Sequence, residues 1–508
     1  MIWMRSAFDQ TESARPRFTR VLASNFSCIP SDTPRSVATV RAFDWFVLGL
    51  ILAIGAALRT HAIGTESLWL DEAAAVQFAR GSLVNAVVET ALDVHPPFYY
   101  FVLHFWMLLA GTSETAVRLL SAAIGLVTIV AVHRFGLVVF SRATALVAAL
   151  LVAISPFHVQ FAQEARMYTL LVLLGLWSMH ACWQLLSGDA RPRLRVVFIT
   201  VTTMMMYTHI YAFFVLAAQA AFVAIERRAI DPAARRRWLR ALVTSCVLFL
   251  PWVPVLLWQI WQVGGDFWMP PITGDTLTRL LAWHAGSKTL LWIVGPLVVL
   301  GAWVSWRRRP ACSEGRPGLL LLLWFVCPIV LPVLISQVGS SIFAEKYSIA
   351  ASLPFLLLAA RGIAGLRPAP LALAAIVAIG VLSREPFDEY FATTRKDNWR
   401  GATAQLESRA LPGDLLLFHK PWGKVPFDYY SRRVDLAEHM VPLKFELMTE
   451  ENAAALVARE TRGFDRVWLV YTQPSGISPL VPKLLAETYR RTDTITDRGI
   501  EIHLFIRP

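Results

Sequence analysis

Residues 318–335 read GLLLLLWFVCPIVLPVLI, a stretch without a single charged side chain. One helical crossing of a bilayer needs about 20 consecutive apolar residues, so this stretch predicts a transmembrane helix. The whole chain of 508 residues agrees, since 56% of it is hydrophobic, 17% is charged and its mean hydropathy is +0.50. That composition excludes a disordered chain, a disulfide-stapled secreted protein and an ordinary cytosolic enzyme. Further apolar runs lie at 44–60, 119–140, 143–158, 167–186, 241–260, 289–305, 346–360 and 369–382.

A longer apolar run over 195–225 is interrupted by the polar tetrapeptide Tyr207-Thr208-His209-Ile210. As one helix, this run would place the arginine cluster at 227–240 outside, against the positive-inside rule. As two short helices that turn at the tetrapeptide, it keeps that cluster in the cytoplasm. We therefore predict two helices here and about eleven transmembrane helices in all.

The apolar segment 97–110 is shorter than a bilayer crossing requires. If it crossed, the basic residues after it, from Arg142 to the 227–240 cluster, would lie outside the membrane. We therefore predict an interfacial helix here, within a first outer loop at 61–118.

The net charge of +12 does not indicate nucleic-acid binding, because the arginines fall in short clusters between apolar runs. Residues 1–43 carry such arginines but no apolar core of a signal peptide, and they are predicted to form a cytoplasmic N-terminal tail. None of the cysteines has metal or redox spacing; they are Cys28, Cys182, Cys246, Cys312 and Cys327.

The chain changes character after 44–382, the predicted membrane domain. From 383 to 508 it is charged, with strand-like runs at 414–419, 467–471 and 500–506 and helical stretches near 397–410 and 450–460. The sequence therefore predicts a small α/β domain, which the span count places on the extracytoplasmic face. The loop 262–273 holds paired glycines and prolines, and it is predicted to be flexible and to cover a site.

Two charged motifs lie in the first outer loop. Asp71 and Glu72 are explained either by helix capping or by a carboxylate that accepts a proton or organises a ligand. His95 precedes two prolines and the apolar helix, so it is either exposed at the helix start or faces an anionic group there.

A third motif lies at the outer ends of two predicted helices. Glu164, Arg166 and Tyr168 follow the kinked segment Ser155-Pro156-Phe157-His158. An isolated ion pair would contribute little to stability, and several polar groups on one short hairpin favour a site instead.

The fourth motif is Lys346-Tyr347, at the start of the tenth predicted helix. The lysine either extends into the headgroups or binds a phosphate as a point charge. His95, Arg166 and Lys346 share one membrane face in this topology. A lipid-linked phosphate would satisfy the three together.

The motif order resembles a known family. LWLDEAAAV, DVHPPFYYFVLHFW, SPFHVQFAQEARMYTLLVLL and EKYSIAASLPFLLLAARG are similar to the bacterial family 39-like membrane glycosyltransferases of the C-type fold. Relatives in that fold include protein O-mannosyltransferases and the aminoarabinose transferase that acts on lipid A. The resemblance covers roughly 44–382, and each motif alone is weak. The segment from Asn398 to Ala402 is also similar to the outer domain of many such proteins.

This resemblance implies roles for single residues. Asp71 matches the acidic residue expected to be the general base, with Glu72 beside it in the catalytic motif. Lys346 and Tyr347 match a position where Arg-Tyr is commoner, so the charge is kept without the planar guanidinium fork. The residues implied to bind the phosphate or sugar of the donor are His95, Glu164, Arg166, Tyr168, Lys346 and Tyr347.

The family also implies the reaction. A sugar passes from a polyprenyl-phosphate donor to a glycolipid, polysaccharide or protein on the extracytoplasmic side of the bacterial inner membrane. The phosphate is already an adequate leaving group, so it needs positive charge rather than a strong general acid. A base activates the acceptor hydroxyl, and attack from the opposite face inverts the anomeric centre.

Two other classes of protein use similar residues. A transporter or flippase of a lipid-linked sugar would hold the same phosphate without breaking a bond, but the sequence has no inverted repeat and its charged motifs cluster at one face. A scaffolding protein would leave the ordered charged motifs unexplained. No cofactor is expected to be required, although Asp71, Glu72 and Glu164 could supply oxygen ligands to a divalent metal.

Overall fold

The structure is a computed structural model that describes residues 42–262, 269, 272–307, 315–338, 341–443, 448–472 and 479–508. Its first part is helical. Three short helices occupy the predicted first outer loop, and one longer helix flanks it on each side. In chain order they are α1 (Ala42–Thr60), α2 (Leu70–Arg80), α3 (Leu83–Leu92), α4 (Phe98–Ala110) and α5 (Glu114–Val139). The helical part continues with α6 (Arg142–Ala153), α7 (Pro156–Ala162), α8 (Tyr168–Leu186), α9 (Pro192–Met206), α10 (Ala212–Ile225), α11 (Pro232–Phe249), α12 (Val253–Gln262), α13 (Thr276–Ala285), α14 (Lys288–Arg307), α15 (Gly315–Ser336), a 3₁₀ turn (Glu345–Ala351), α16 (Ser352–Gly365), α17 (Ala369–Leu382) and α18 (Arg384–Ala392).

Eight helical segments among the described residues are long and apolar enough to cross a membrane, or nine if the bent pair α6–α7 is one crossing. Large apolar side chains such as Trp292 and Leu109 point outward, as expected of a surface that lipid covers. The 195–225 run forms two helices, α9 and α10, as predicted. If both cross, the count reaches the predicted eleven, which stays a prediction. The chain is a multi-pass helical membrane protein.

The break between α6 and α7 bends the path by 56° and leaves the last carbonyls of α6 without helical partners. The buried Arg59 side chain, at the end of α1, donates to two of them, at 2.9 Å to Val152 O and 2.9 Å to Ala153 O. Gln163 in turn donates to the carbonyls that end α1, including His61 O at 2.7 Å. This mutual capping fixes the short segment that carries Glu164.

Helices α14 and α16 pack backbone to backbone, and Gly301 makes that approach possible. A Cβ at Gly301 would lie 1.9 Å from the Leu358 carbonyl oxygen, whereas one at Gly295 on the same helix would meet Leu291 Cδ1 at an ordinary 3.6 Å. We therefore expect Gly301→Ala to destabilise the protein by about 1–3 kcal/mol and Gly295→Ala to have no such effect. Thermal unfolding of the detergent-purified variants measures the difference. Equal unfolding temperatures would contradict this packing.

The C-terminal part forms a small α/β domain with a five-stranded sheet in the order β2-β1-β3-β5-β4. Strand β1 pairs in parallel with both β2 and β3, and β5 runs antiparallel between β3 and β4. The three predicted strands are confirmed as β1, β3 and β5, and the two helical stretches as α19 and α22. The elements are α19 (Trp399–Arg409), β1 (Leu415–Phe418), α20 (Lys424–Tyr430), α21 (Val434–Ala437), β2 (Met440–Pro442), α22 (Ala453–Glu460), β3 (Arg466–Thr472), α23 (Leu480–Thr488), β4 (Arg490–Asp497) and β5 (Ile500–Ile506).

The predicted covering loop 262–273 falls mostly outside the described residues. The predicted boundary at 383 lies between α17 and α18, but the second of these continues the same long apolar segment to Ala392. The division at 383 stays a prediction.

Candidate active site

Asp71 lies in the first turn of α2. Its Oδ2 atom is 3.7 Å from Arg166 Nη2 and 3.7 Å from Lys346 Nζ, and a quarter of its side chain is exposed. Arg166 Nη1 also donates to the Asp71 carbonyl at 3.2 Å. Three motifs from distant parts of the chain therefore meet at one carboxylate, as the shared membrane face predicts.

Glu72, the next residue, is fully buried. Arg118 of α5 binds both of its oxygens, with Nε at 2.8 Å from Oε1 and Nη2 at 2.7 Å from Oε2, and the Ala165 amide donates to Oε1 at 3.0 Å. Burial alone would raise the pKa of Glu72, but Lys396 and Arg118 outweigh it and lower the pKa to about 2. Glu72 is thus an ionised carboxylate that joins α2, α5 and the segment before α8.

Rings surround the space beside Arg166. The ring centroids of His209 and Tyr347 are 4.7 Å apart, those of His95 and His209 are 5.3 Å apart, and Tyr168 lies 6.2 Å from Tyr347. The sequence-predicted His95, Tyr168 and Tyr347 are therefore brought together, with His209 between them. Lys346 Nζ lies 5.7 Å above the Trp69 ring.

Several polar atoms in this region are buried without a hydrogen-bond partner among the described residues: Arg166 Nε, His95 Nδ1, Tyr168 OH, His209 Nε2 and Trp69 Nε1. Buried polar atoms normally find partners, so a concentration of exceptions indicates a place where a ligand or water completes them. His209 Nδ1 accepts from the Tyr211 amide at 3.1 Å. Its Nε2 therefore carries the proton and is available to donate to an anion.

The positive charge expected at His95 is absent. Burial, followed by the nearby charge of Arg166, holds the pKa of His95 well below its usual range, so the ring is neutral. Burial likewise lowers the pKa of His209 to about 3. The interpretation of His95 as a basic residue is thus corrected: the histidines offer hydrogen bonds, and the positive charge comes from Arg166 and Lys346.

Glu164 is a buried acid beside the same space. Burial raises its pKa to about 7, although the ammonium groups of Lys396 and Lys346 act to lower it. Near neutral pH this carboxyl group is therefore close to half protonated. It differs in this from Glu72, whose charge is paired.

Lys396, Arg118 and His209 were not among the residues singled out as candidates. His209 carried a usable signal, since the span count places its tetrapeptide on the outer face. Lys396 and Arg118 carried none, because only the folded chain brings them to Glu72. Among the described residues, no three histidine, cysteine or carboxylate side chains form a group that could hold a metal ion. Independence from metals stays a prediction.

Comparison with known proteins agrees with this architecture. Residues 94–258 match the family model described as dolichyl-phosphate-mannose-protein mannosyltransferase, a stretch that includes His95, Glu164, Arg166 and His209 but not Asp71 or Lys346. No curated protein matches the chain by sequence.

Solved structures match nearly the whole chain. The apo structure of ArnT from Cupriavidus metallidurans has 14% identity and a TM-score of 0.63, covering 91% of this chain and 98% of its own. The same protein bound to undecaprenyl phosphate gives a TM-score of 0.61, with 14% identity and the same coverage.

The oligosaccharyltransferase AglB from Archaeoglobus fulgidus, in complex with an inhibitory peptide and a dolichol-phosphate, gives a TM-score of 0.57 at 11% identity. The match covers 91% of this chain and 74% of that one. The resemblance drawn from the sequence motifs is confirmed. The chain has the C-type glycosyltransferase fold, with a small C-terminal sheet domain.

Proposed function

We propose that this protein transfers a sugar from a polyprenyl-phosphate donor to an acceptor on the extracytoplasmic face. The observation that carries the proposal is the Asp71 carboxylate, held 3.7 Å from each of two cations, beside buried polar atoms that have no hydrogen-bond partner within the described part of the chain. Such a transfer needs a base for the acceptor hydroxyl and positive charge for the leaving phosphate, and a carboxylate beside two cations can supply both. The fold shared with ArnT bound to undecaprenyl phosphate supports the lipid-phosphate class of donor.

The cations stabilise the leaving phosphate. Arg166 is buried, and its Nε donor has no partner among the residues that the structure describes. Lys346 adds a second positive charge. As the bond between sugar and phosphate breaks, negative charge grows on the phosphate oxygens, and preorganised cations lower the energy of that state. The neutral rings of His95 and His209 add hydrogen bonds. Tyr168 and Tyr347 form the wall beside them.

Asp71 serves as the general base. It is the partly exposed carboxylate of the pair, so an acceptor hydroxyl can reach it, whereas Glu72 is enclosed. Asp71 takes the proton of the acceptor hydroxyl as the oxygen attacks the anomeric carbon, and the phosphate leaves from the opposite side. The configuration at that carbon is then inverted. Glu72, whose oxygens are bound by Arg118, Ala165 and Lys396, acts as a positioning residue.

The donor set fits a divalent metal poorly. Both Glu72 oxygens are already bound, and Asp71 has two cations beside it that would repel a metal ion. We therefore propose that the reaction needs no metal.

The orientation, with the N-terminus cytoplasmic and the sheet domain outside the bacterial inner membrane, follows from the arginine distribution.

Binding of the sugar donor is expected to depend on Glu164. Above its pKa of about 7, Glu164 gains a negative charge near Lys346 and opposes the phosphate. We expect affinity to weaken by about three- to tenfold from pH 6 to pH 8. Titrating binding of a polyprenyl phosphate monomethyl ester, whose single charge is constant over this range, measures the effect. Glu164→Gln should flatten the pH dependence, and an unchanged slope in that variant would contradict this role.

The proposal as a whole is tested in cells by mass spectrometry of envelope glycolipids, glycans and proteins. A deletion strain is compared with strains complemented by wild type or by Asp71→Asn. One sugar-bearing species should disappear on deletion and return with the wild type alone. If no sugar-bearing molecule differs among the three strains, the proposed transfer is wrong.

A further inference from the structure

The segment that leads into the C-terminal α/β domain, just before α19, contacts the beginning of the first outer loop, directly before α2. Glu66 Oε1 accepts from the backbone amides of Arg395 at 2.6 Å and Lys396 at 3.3 Å. Ser67 Oγ donates to the Asp397 carbonyl at 2.7 Å. These bonds hold the segment that leads into α2.

The same domain also contacts the other end of that loop. Tyr430 OH accepts from the Leu68 amide at 2.7 Å and donates to Glu114 Oε1 at 2.9 Å. Tyr429 OH donates to the Thr112 carbonyl at 2.6 Å, and Arg400 Nε bonds Glu114 at 2.9 Å. Both ends of the loop that carries Asp71 are therefore fixed to the C-terminal domain.

The side chain of Lys396 extends from this contact to Glu72. Lys396 Nζ lies 2.9 Å from Glu72 Oε2, and its side chain is only 12% exposed. With Arg118 on the other side, Glu72 is a buried carboxylate held between two cations. Removing one partner of a buried ion pair disturbs its surroundings strongly, because the charges that remain are no longer balanced.

We propose that Lys396 is a positioning residue through which the C-terminal domain completes the active site. Its ammonium group fixes Glu72, and Glu72 in turn fixes the first turn of α2 against the Ala165 amide, one residue from Arg166. Asp71 is thereby held at its distance from the cations. This inference rests on the transferase function proposed above.

Lys396 also influences Glu164. Among the described residues, the charged or titratable groups facing Glu164 are Lys396, Lys346, Glu72, Asp71, Tyr168 and Tyr390. Lys396 favours the ionised form of Glu164, so its removal shifts the pKa of Glu164 upward. A substitution that only destabilised the fold would lower thermal stability without that directed shift.

The test compares full-length Lys396→Met with Lys396→Arg and with Arg395→Met, the neighbouring cation, which pairs with Glu389 on the surface at 3.5 Å. For Lys396→Met we expect kcat to fall about 10- to 100-fold, with KM for the sugar donor nearly unchanged at about pH 6, where Glu164 is mostly protonated in both proteins. We also expect the pH midpoint for binding the monomethyl ester to move upward. Lys396→Arg should recover most of kcat, and Arg395→Met should match wild type.

If Lys396→Met does not fold, Lys396→Gln replaces it, since its amide is uncharged but polar enough to be tolerated near Glu72. Wild-type kcat and pH midpoint in the uncharged variant would overturn the proposal, as would a loss of thermal stability with kcat unchanged. A wild-type protein that does not cleave the lipid-phosphate sugar would instead overturn the proposed function. The two failures are therefore distinguishable.

Discussion

Asp71→Asn is expected to lower kcat for sugar transfer by about 10²–10⁴-fold, the range that general base catalysis contributes. The amide has nearly the same shape as the carboxylate, and its oxygen can still face Arg166 and Lys346 at the 3.7 Å positions. It cannot take up the proton of the acceptor hydroxyl. The measurement is single-turnover transfer with purified protein and saturating sugar donor.

The matched control for Asp71→Asn is Asp388→Asn. Asp388 lies on α18, and its exposed side chain pairs with Arg384 at 3.3 Å. It should leave transfer unchanged. Both variants should bind the polyprenyl phosphate at least as tightly as wild type, because each removes a negative charge. Full transfer by a well-folded Asp71→Asn protein would show that another group is the base.

Arg166→Met is expected to weaken binding of the polyprenyl phosphate by about 10- to 100-fold, since hydrogen bonds to charged groups contribute about 1.5–3 kcal/mol. The loss should exceed that caused by Arg166→Lys, which keeps the charge but not the planar fork. Equilibrium binding in detergent or nanodiscs measures it. Arg384→Met, an exposed cation on α18, is the control. Equal affinity in Arg166→Met and wild type would place the phosphate elsewhere.

The meeting of Asp71, Arg166 and Lys346 could be predicted from the sequence because membrane topology reduces the search to one face. Counting arginine clusters assigns each loop to a side of the bilayer, and charged residues on the outer loops must then share that surface. The bilayer thus supplies a constraint that a soluble chain lacks. His209 lies on the same predicted face, but no charged residue stands near it in the sequence to indicate a site.

The pairing of Glu72 could not be predicted. Its partners, Arg118 and Lys396, come from α5 and from the segment before α19, far along the chain. Only tertiary packing brings them together. The neutral state of His95 depends on burial in the same way, since an exposed histidine at a helix start would titrate near its ordinary pKa.

Some strands of the C-terminal sheet could be predicted from the sequence and others could not. Strands β1, β3 and β5 are apolar and central, and their sequences predicted them. The strands β2 and β4 were missed. Edge strand β4 reads RRTDTITD and is mostly exposed, so it lacks the hydrophobic pattern that signals a strand. Edge strand β2 has three residues and ends in a proline.

The central claim is that a bond is broken. The most direct measurement places purified protein in vesicles with a labelled polyprenyl-phosphate sugar and an extract of envelope acceptors, and follows the lipid by mass spectrometry. The account predicts free polyprenyl phosphate in amounts equal to the sugar gained by the acceptor, formed at least about 100-fold more slowly by Asp71→Asn. Intact sugar donor that has crossed the bilayer, without release of polyprenyl phosphate, would contradict it and identify a transporter.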